Sequence, residues 1–362
     1  MKKRKIIIAM VAFLVILGLI LIGLLMIRQK KEIPSPWEEW SEKGRYYNYA
    51  PSYLQVSDSN RYLYYCRNSI DGIIKDSIFL RQSIKGEKGW EWKDPVLAIE
   101  PSASGWDSIH VCDPDVKQGE FTYRNHTYQF IMFYLGSDRS NNNHNQIGVA
   151  LADNLEGPWV KWEQNPLVEY GFANFWGKGQ PSAISLDKKG EMLLFYSSGD
   201  NNGTRMLYRV LDLSDLDVPV IGEEQLLSTE GLTESDGSQV ILHNGALAYE
   251  EKTDRFYLIR PRHPFEATTP DYISSQLQVA YTPAATIWSG AGSWTIDGHI
   301  TSEETKKARN HNSCFLTNSF GGLIGGSKEY QISFTISDIN SFPESLWSYR
   351  IYGAKKDNLI SN

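Results

Sequence analysis

The sequence contains little cysteine and lacks the short motifs of several large enzyme classes. Its 362 residues include three cysteines, Cys66, Cys112 and Cys314, which are far apart and lie in or beside apolar runs. This pattern favours buried thiols over a disulfide framework, and an odd number cannot all pair. The sequence has no glycine-rich phosphate loop, HExxH, paired CxxC or Gly-x-Ser-x-Gly motif. It therefore lacks the signatures of nucleotide-binding enzymes, zinc proteases and serine hydrolases. We predict no cofactor and no metal site.

Basic residues are scarce in most of the chain. Seven of the 36 Lys and Arg residues lie in residues 1–31, which contain no Asp or Glu. Residues 32–362 therefore carry 29 basic and 43 acidic residues, a net charge of −14. A strongly acidic domain argues against nucleic acid or an anionic lipid surface as its ligand.

One long apolar run occurs, from Ile6 to Ile27, and it has no polar side chain. Its 22 residues would span about 30 Å as a helix, enough to cross a bilayer. A cleaved signal peptide and a buried core helix are the alternatives, but the run is long for a signal peptide and no small-residue cleavage site follows it. The sequence predicts an N-terminal transmembrane helix within a basic anchor segment, residues 1–31. A stalk at 32–48 and a large extracellular domain follow, with residues 6–27 contacting the lipid bilayer.

Long amphipathic helical patterns are missing from residues 49–353, where short β-rich runs alternate with Gly, Asn, Asp and Pro. A hairpin-like unit recurs there, and each copy opens on a residue before a turn. The five openings are Ala50, Asp113, Gln180, His243 and Asn310. A regular spacing of 63 to 67 residues, with about four short strands in each unit, is typical of propeller blades. We therefore predict an all-β fold with one five-bladed β-propeller over residues 49–362.

Several local sequences resemble the five-bladed propeller glycosidases, the clan of glycoside hydrolase family 43 and the related β-fructosidases. They are the strand Ile147–Ala152 with Leu155–Trp159 after it, Asn165–Val168, Gly179–Ser182 and Arg309–Asn312. The resemblance implies a glycoside hydrolase or transglycosylase that acts on a polysaccharide. Carbohydrate is accordingly the predicted partner, with no nucleic acid.

In a propeller the first strand of each blade lines the axis, so the five openings should surround one central funnel. The ends of second strands and the loops entering each blade reach the same face. Glycoside cleavage needs one carboxyl group as acid and another as base or nucleophile. The catalytic candidates are Asp113, His243, Asp236 and Asp200. The substrate-binding candidates are Trp106, Asp138, Trp176, Gln180, Asn244, Arg309 and His311.

The chain departs from the resembled superfamily at its acids. That superfamily usually has three, on inner strands of different blades, whereas this chain has Ala50, Gln180 and His243 at three of the openings. Only Asp113, followed by Pro114, keeps an acidic opening. In an enzyme with this sequence, either loop residues would supply the catalytic acid and base, or His243 would take part in the proton transfer.

These residues could instead have purely structural roles, and two other functions are compatible with the sequence. The aspartates are also typical turn residues, and Arg309 and His311 are also suited to closing the ring. A glycan-binding propeller without catalysis, or a scaffold for an envelope assembly, would fit the same sequence. Released reducing sugar separates the first of these from an enzyme, and a scaffold would have no affinity for sugar.

Overall fold

The computed structural model describes residues 37–354, apart from residues 43, 71, 88, 142, 172–173, 291 and 327–328. The predicted anchor, residues 1–31, lies outside the described residues. Within 37–354 we find no helix that is long and apolar enough to cross a membrane.

The described residues form five blades of antiparallel strands, and the inner strands of the first and last blades also pair with each other in parallel. Blade 1 consists of β2 (Asn48–Ser57), β3 (Asn60–Ile70) and β4 (Ile73–Gly86), with β5 (Gly89–Trp92) and β6 (Val96–Ile99) both paired to β4. Blade 2 consists of β7 (His110–Tyr123), β8 (His126–Ser137), β9 (Gln146–Ala152) and β10 (Val160–Lys161). Blade 3 consists of β11 (Gly177–Ser185), β12 (Glu191–Asp200) and β13 (Gly203–Asp212), with β14 (Val220–Ile221) and β15 (Gln225–Leu226) on its outer edge. The predicted all-β propeller is therefore confirmed for this part of the chain.

The last two blades contain the helical turns. Blade 4 consists of β16 (Ala246–Glu250), β17 (Arg255–Arg262), β18 (Gln276–Pro283) and β19 (Thr295–Ile300), with α1 (Ala284–Ser289) before β19 and α2 (Ser302–Thr305) after it. Blade 5 consists of β20 (Arg309–Asn318), β21 (Ile332–Ser337), β22 (Arg350–Ala354) and β1 (Trp37–Glu39), and a 3₁₀ helix covers Glu344–Ser348.

The strand β1 closes the ring, because it is the outer strand of the last blade. Trp37 pairs with Ala354 and Glu39 with Tyr352. Directly after it, Trp40 is buried over Gly353, where an added side chain would collide with the indole. The predicted stalk at 32–48 is thus wrong from residue 37 onward. Three residues are too short a run to be recognised as a strand when the partner strand lies at the other end of the sequence.

Each blade has one residue with left-handed backbone at the axis, which lies in the inner strand or, in blade 4, two residues before it. These five residues are Ala50 (φ 50°), Asp113 (46°), Gln180 (54°), Asn244 (47°) and Asn312 (41°). Non-glycine residues pay roughly 1–2 kcal/mol for this conformation, and such strain concentrates at functional sites. The sequence repeat predicts the position of this residue correctly in blades 1 to 3, where proline follows it. In blades 4 and 5 the equivalent positions are Asn244 and Asn312, not His243 and Asn310.

A disulfide joins blades 1 and 2. Cys66 in β3 and Cys112 in β7 are bonded, with their Cα atoms 5.1 Å apart, and Cys314 is a buried free cysteine. The prediction of three buried thiols is wrong for this pair. Cysteines 46 residues apart come together here only because the ends of neighbouring blades meet at the axis.

Candidate active site at the axis of the propeller

Two connected spaces lie on the propeller axis. A narrow axial channel of about 60 Å³ runs between the inner strands. It opens into a wider cavity of about 250 Å³, here called the mouth. Four of the five left-handed residues, Asp113, Gln180, Asn244 and Asn312, line both spaces and form the neck between them.

Asp113 is the one acidic residue among the five left-handed positions. Its carboxyl group is buried, and burial together with the charge of Asp76 raises its pKa to about 7, although the backbone N–H of Gln180 partly opposes the shift. Its own backbone N–H donates to Sγ of Cys66 at 2.9 Å. A carboxyl group with this pKa is half protonated near neutral pH and can act as a proton donor.

Asp76 is a second carboxylate in the mouth and is not among the residues predicted from the sequence. Its Oδ2 accepts a 2.7 Å hydrogen bond from the hydroxyl of Tyr49 and lies 3.5 Å from Nδ1 of His110. Its Oδ1 has no hydrogen-bond partner among the described residues. Asp76 lies on β4, the third strand of blade 1, so a search of inner strands and their entry loops misses it. The available signal was an acid between Lys75 and Ser77, in a strand-like run that begins at Ile73.

His243 faces the mouth from blade 4 and contacts a second histidine. Its Nε2 lies 2.9 Å from Nε2 of His263. Burial and the adjacent His263 and Arg260 lower the pKa of His243 to about 3, and burial also lowers the pKa of His263. Both rings are therefore neutral at neutral pH, so one ring donates the shared hydrogen bond and the other accepts it.

A fully buried ion pair holds this histidine pair in place. Glu234 accepts hydrogen bonds from Nη1 of Arg260 at 2.9 Å, from the backbone of His263 at 2.7 Å and from the backbone of Ile241 at 3.1 Å. Both charged side chains have 0% exposure. Glu234 thus ties the loop that leads to His243 onto β17.

The mouth also contains buried polar atoms that are not satisfied by the protein. Neither ring nitrogen of His311 nor Oε1 of Gln180 has a hydrogen-bond partner in the described part of the chain. His311 is 6% exposed and packs edge-on against Tyr349, and burial lowers its pKa to about 3. An unsatisfied buried polar group costs about 1–3 kcal/mol, which a bound hydroxyl or water would recover. Asn244, by contrast, donates from Nδ2 to Oδ1 of Asn312 at 2.5 Å.

Aromatic side chains form much of the wall of the mouth. Trp176, a predicted substrate-binding residue, lines it from the segment that enters blade 3. The other lining rings are Tyr47, Tyr49, Phe265, Tyr272, Phe342 and Tyr349. The mouth therefore combines two carboxylates, unsatisfied neutral donors and acceptors, and flat apolar faces.

Two predicted catalytic aspartates lie outside the mouth. Asp200 forms two 2.8 Å hydrogen bonds with the guanidinium of Arg205, and these lower its pKa to about 2. Asp236 is exposed and accepts the backbone N–H of Ser238, which lowers its pKa. Both predictions are corrected: one side chain belongs to an ion pair and the other to a turn. The buried acid in this loop is Glu234, two residues before Asp236.

Three predicted substrate-binding residues have structural contacts instead. Trp106 packs on Tyr134, with ring centroids 5.5 Å apart, and covers Gly136 and Gly148. Asp138 is half-exposed and lies 3.3 Å from Nδ1 of His144.

The third is Arg309, whose guanidinium donates to the backbone oxygens of Thr268 and Pro270. None of these three side chains lines either axial space. The structure brings together Asp113, His243, Trp176, Gln180, Asn244 and His311.

The fold matches solved structures of glycoside hydrolases over most of the chain. No protein-family profile matches the sequence. No curated protein is similar enough in sequence to be matched. The chain is similar to a family 117 glycoside hydrolase from Zobellia galactanivorans (TM-score 0.57, 12% identity, 91% of this chain and 92% of the other). It is also similar to a GH43_1 enzyme from Xanthomonas citri complexed with xylotriose (0.56, 12%, 90% and 93%) and to an α-L-arabinofuranosidase from Lactobacillus brevis (0.56, 12%, 86% and 90%). At these identities the likeness establishes the fold.

Proposed function

We propose that the protein is a glycoside hydrolase or transglycosylase that acts on a polysaccharide, with the mouth as its active site. The observation that carries the proposal is the pair of buried acids at the base of the mouth, Asp113 and Asp76. The charge of Asp76 helps to raise the pKa of Asp113 to about 7. Glycoside cleavage requires two carboxyl groups at one site, one of which can donate a proton.

Asp113 is the proton donor in this proposal. When protonated it gives its proton to the glycosidic oxygen as the bond to the leaving sugar breaks. Asp76 is the second carboxylate, which stabilises or traps the positive charge that develops on the sugar ring, directly or through an activated water. Transfer to water gives hydrolysis, and transfer to a sugar hydroxyl gives transglycosylation.

The other mouth residues are suited to holding the sugar. Neutral His311 offers one donor and one acceptor nitrogen, and Gln180 offers an unsatisfied oxygen. Sugar hydroxyls would satisfy these atoms, while Trp176 provides a face for the C–H side of a sugar ring. The similar solved structures include enzymes described as an α-L-arabinofuranosidase and an endo-arabinase. These names favour pentose-containing polymers as the first substrates to try.

The same proposal includes an extracellular, membrane-anchored location. The apolar run Ile6–Ile27 has the length and composition of a transmembrane helix. The Cys66–Cys112 disulfide supports this location, because disulfides persist mainly in oxidising compartments outside the cytosol.

A second candidate function is glycan binding without turnover. The left-handed positions in four of the five blades carry Ala50, Gln180, Asn244 and Asn312, which are uncharged. A site with few carboxylates at its neck would bind hydroxyls well and transfer protons poorly. Asp113 and Asp76 are the reason that we prefer the enzyme.

The test is turnover of neutral polysaccharides by the purified full-length chain in detergent micelles. Arabinan, arabinoxylan, xylan and levan are incubated with wild type, Asp113→Asn and Asp236→Asn, and released reducing sugar is measured. We expect Asp113→Asn to lose about 10²–10⁴-fold in rate, while the exposed control Asp236→Asn keeps the wild-type rate. Thermal unfolding of each variant verifies that it is folded.

The other results are equally informative. Equal rates for Asp113→Asn and wild type would reject this site. Retardation of the wild type in gels containing one of these polymers, with no sugar released, would favour the binding protein.

A further inference from the structure

Two large aromatic side chains are exposed at the edge of the mouth. Phe342 is 62% exposed and Tyr272 is 41% exposed, and both also line the mouth. Their ring centroids are 6.4 Å apart. They come from different blades: Tyr272 lies between β17 and β18, and Phe342 lies between β21 and β22. We call this pair the aromatic rim.

Hydrogen bonds hold the segments that carry the rim. The hydroxyl of Tyr272 bonds to Oγ of Ser345 at 2.7 Å, which joins the two segments. Arg309 donates to the oxygens of Thr268 and Pro270 just before Tyr272. On the other segment, the backbone N–H of Ser345 donates to the oxygen of Ser341 at 2.7 Å. The two rings are therefore presented in fixed positions, which lowers the entropic cost of binding a ligand against them.

We propose that Tyr272 and Phe342 form an outer sugar-binding subsite for the unit next to the sugar in the mouth. The inference rests on the proposed function and adds that the substrate is a chain of several sugars, held beyond the bond that is cleaved. Exposed aromatic faces that continue the wall of a cavity mark binding surfaces. A neutral pyranose or furanose ring presents a C–H face that stacks on such rings while its hydroxyls stay in water. Because both rings belong to the wall of the mouth, a chain that leaves the mouth on this side passes over them.

The experiment uses the full-length chain and measures how kcat/KM depends on substrate length. The substrates are linear xylo- and arabino-oligosaccharides of two to six units, and the variants are Phe342→Ala, Tyr272→Ala and Tyr272→Phe. Trp288→Ala is the matched control, because Trp288 is 48% exposed and lies in α1, outside the lining of the mouth. We expect the ratio of kcat/KM for the longest to the shortest cleaved substrate to fall about tenfold in both Ala variants, a loss of about 1.4 kcal/mol. Trp288→Ala should keep the wild-type ratio, and Tyr272→Phe, which keeps the ring but loses the hydroxyl bond to Ser345, should lower it less than Tyr272→Ala.

A second measurement keeps the inference testable if turnover is slow. Electrophoretic retardation of each variant is compared in gels containing soluble arabinan or arabinoxylan, and the Ala variants at the rim should be retarded less than Trp288→Ala. An unchanged length ratio and unchanged retardation in folded Phe342→Ala would overturn the subsite while leaving the proposed function intact. A change confined to oligomeric state on size-exclusion chromatography would also overturn it, because the rim would then contact a second copy of the chain. If the wild type neither cleaves nor binds any of these glycans, the proposed function fails and the subsite fails with it.

Discussion

The hydroxyl of Tyr49 donates a 2.7 Å hydrogen bond to Oδ2 of Asp76 at the base of the mouth. Burial and the charge of Asp76 raise the pKa of Tyr49 well above its usual value, so the phenol stays a donor at any physiological pH. The charge of Asp76 in turn raises the pKa of Asp113. Tyr49 thus acts on the proposed proton donor through Asp76.

The first prediction concerns the pH dependence of turnover. As a proton donor Asp113 works in its protonated form, so kcat/KM should fall as pH rises through about 7. Asp76→Asn removes the second carboxylate and a charge that raises this pKa, so turnover should fall and the same limb of the residual activity should move to lower pH. Measuring kcat/KM between pH 4 and 9 tests both statements, with Asp236→Asn as the control. An unmoved midpoint in Asp76→Asn would show that the two acids are not coupled.

The second prediction concerns stability. The raised pKa of Asp113, which suits proton donation, lowers the stability of the folded protein at high pH. Between the ordinary value of 3.8 and the folded value of about 7, native Asp113 keeps a proton that the unfolded chain has released. This group therefore makes the free energy of unfolding decrease as pH rises through that window. Asp113→Asn should flatten the decrease and stabilise the protein at pH 8 by roughly 1–4 kcal/mol. Urea unfolding at pH 5 and pH 8 measures it, and a variant that is less stable at pH 8 would contradict the assignment.

The third prediction concerns the buried pair Glu234 and Arg260. Glu234→Gln leaves the guanidinium of Arg260 buried without its counter-charge, which should cost about 3–5 kcal/mol of unfolding free energy. Glu163→Gln is the control, because Glu163 pairs with Arg124 on the surface and both side chains are more than 60% exposed. That change should cost at most about 1 kcal/mol. Urea denaturation of the two variants compares them directly, and equal losses would mean that Glu234 contributes no more than a surface charge.

The fourth prediction concerns the Cys66–Cys112 bond. Thiol titration of the denatured, unreduced protein should find one reactive group, Cys314, and titration after reduction should find three. The double change to Ser should cost about 2–4 kcal/mol, because the bond closes a long loop in the unfolded chain. It should also lower turnover, because Sγ of Cys66 accepts the backbone N–H of Asp113. Three thiols in the unreduced protein would disprove the bond.

The sequence predicted the blades well where local chemistry repeats. At Ala50, Asp113 and Gln180 a proline follows the left-handed residue, so the pattern is visible without structure. Asn244 and Asn312 precede glycine and serine instead. The predicted openings, His243 and Asn310, therefore lie one and two residues too early. This offset does not alter the fold prediction, but it changes which side chains point to the neck.

The candidate site was predicted less completely, because its residues come from strands that the sequence does not associate. Asp76 comes from the third strand of its blade. His263 directly follows a second strand, and its partner His243 lies 20 residues earlier in the sequence. Asp200 and Asp236 have the same local setting as functional aspartates, and only their partners, Arg205 and Ser238, distinguish them. Whether an acid faces the axis depends on neighbours that are far away in the chain.

The pairing of β1 with β22 has a consequence for how the domain is made. Blade 5 takes its outer strand from Trp37–Glu39 and its remaining strands from residues after 308. During synthesis the first of these strands leaves the ribosome some three hundred residues before its partner, so the fifth sheet cannot assemble until the chain is nearly finished. Contacts this distant in sequence slow folding. Trimming either end of the domain would therefore remove a strand from the same blade.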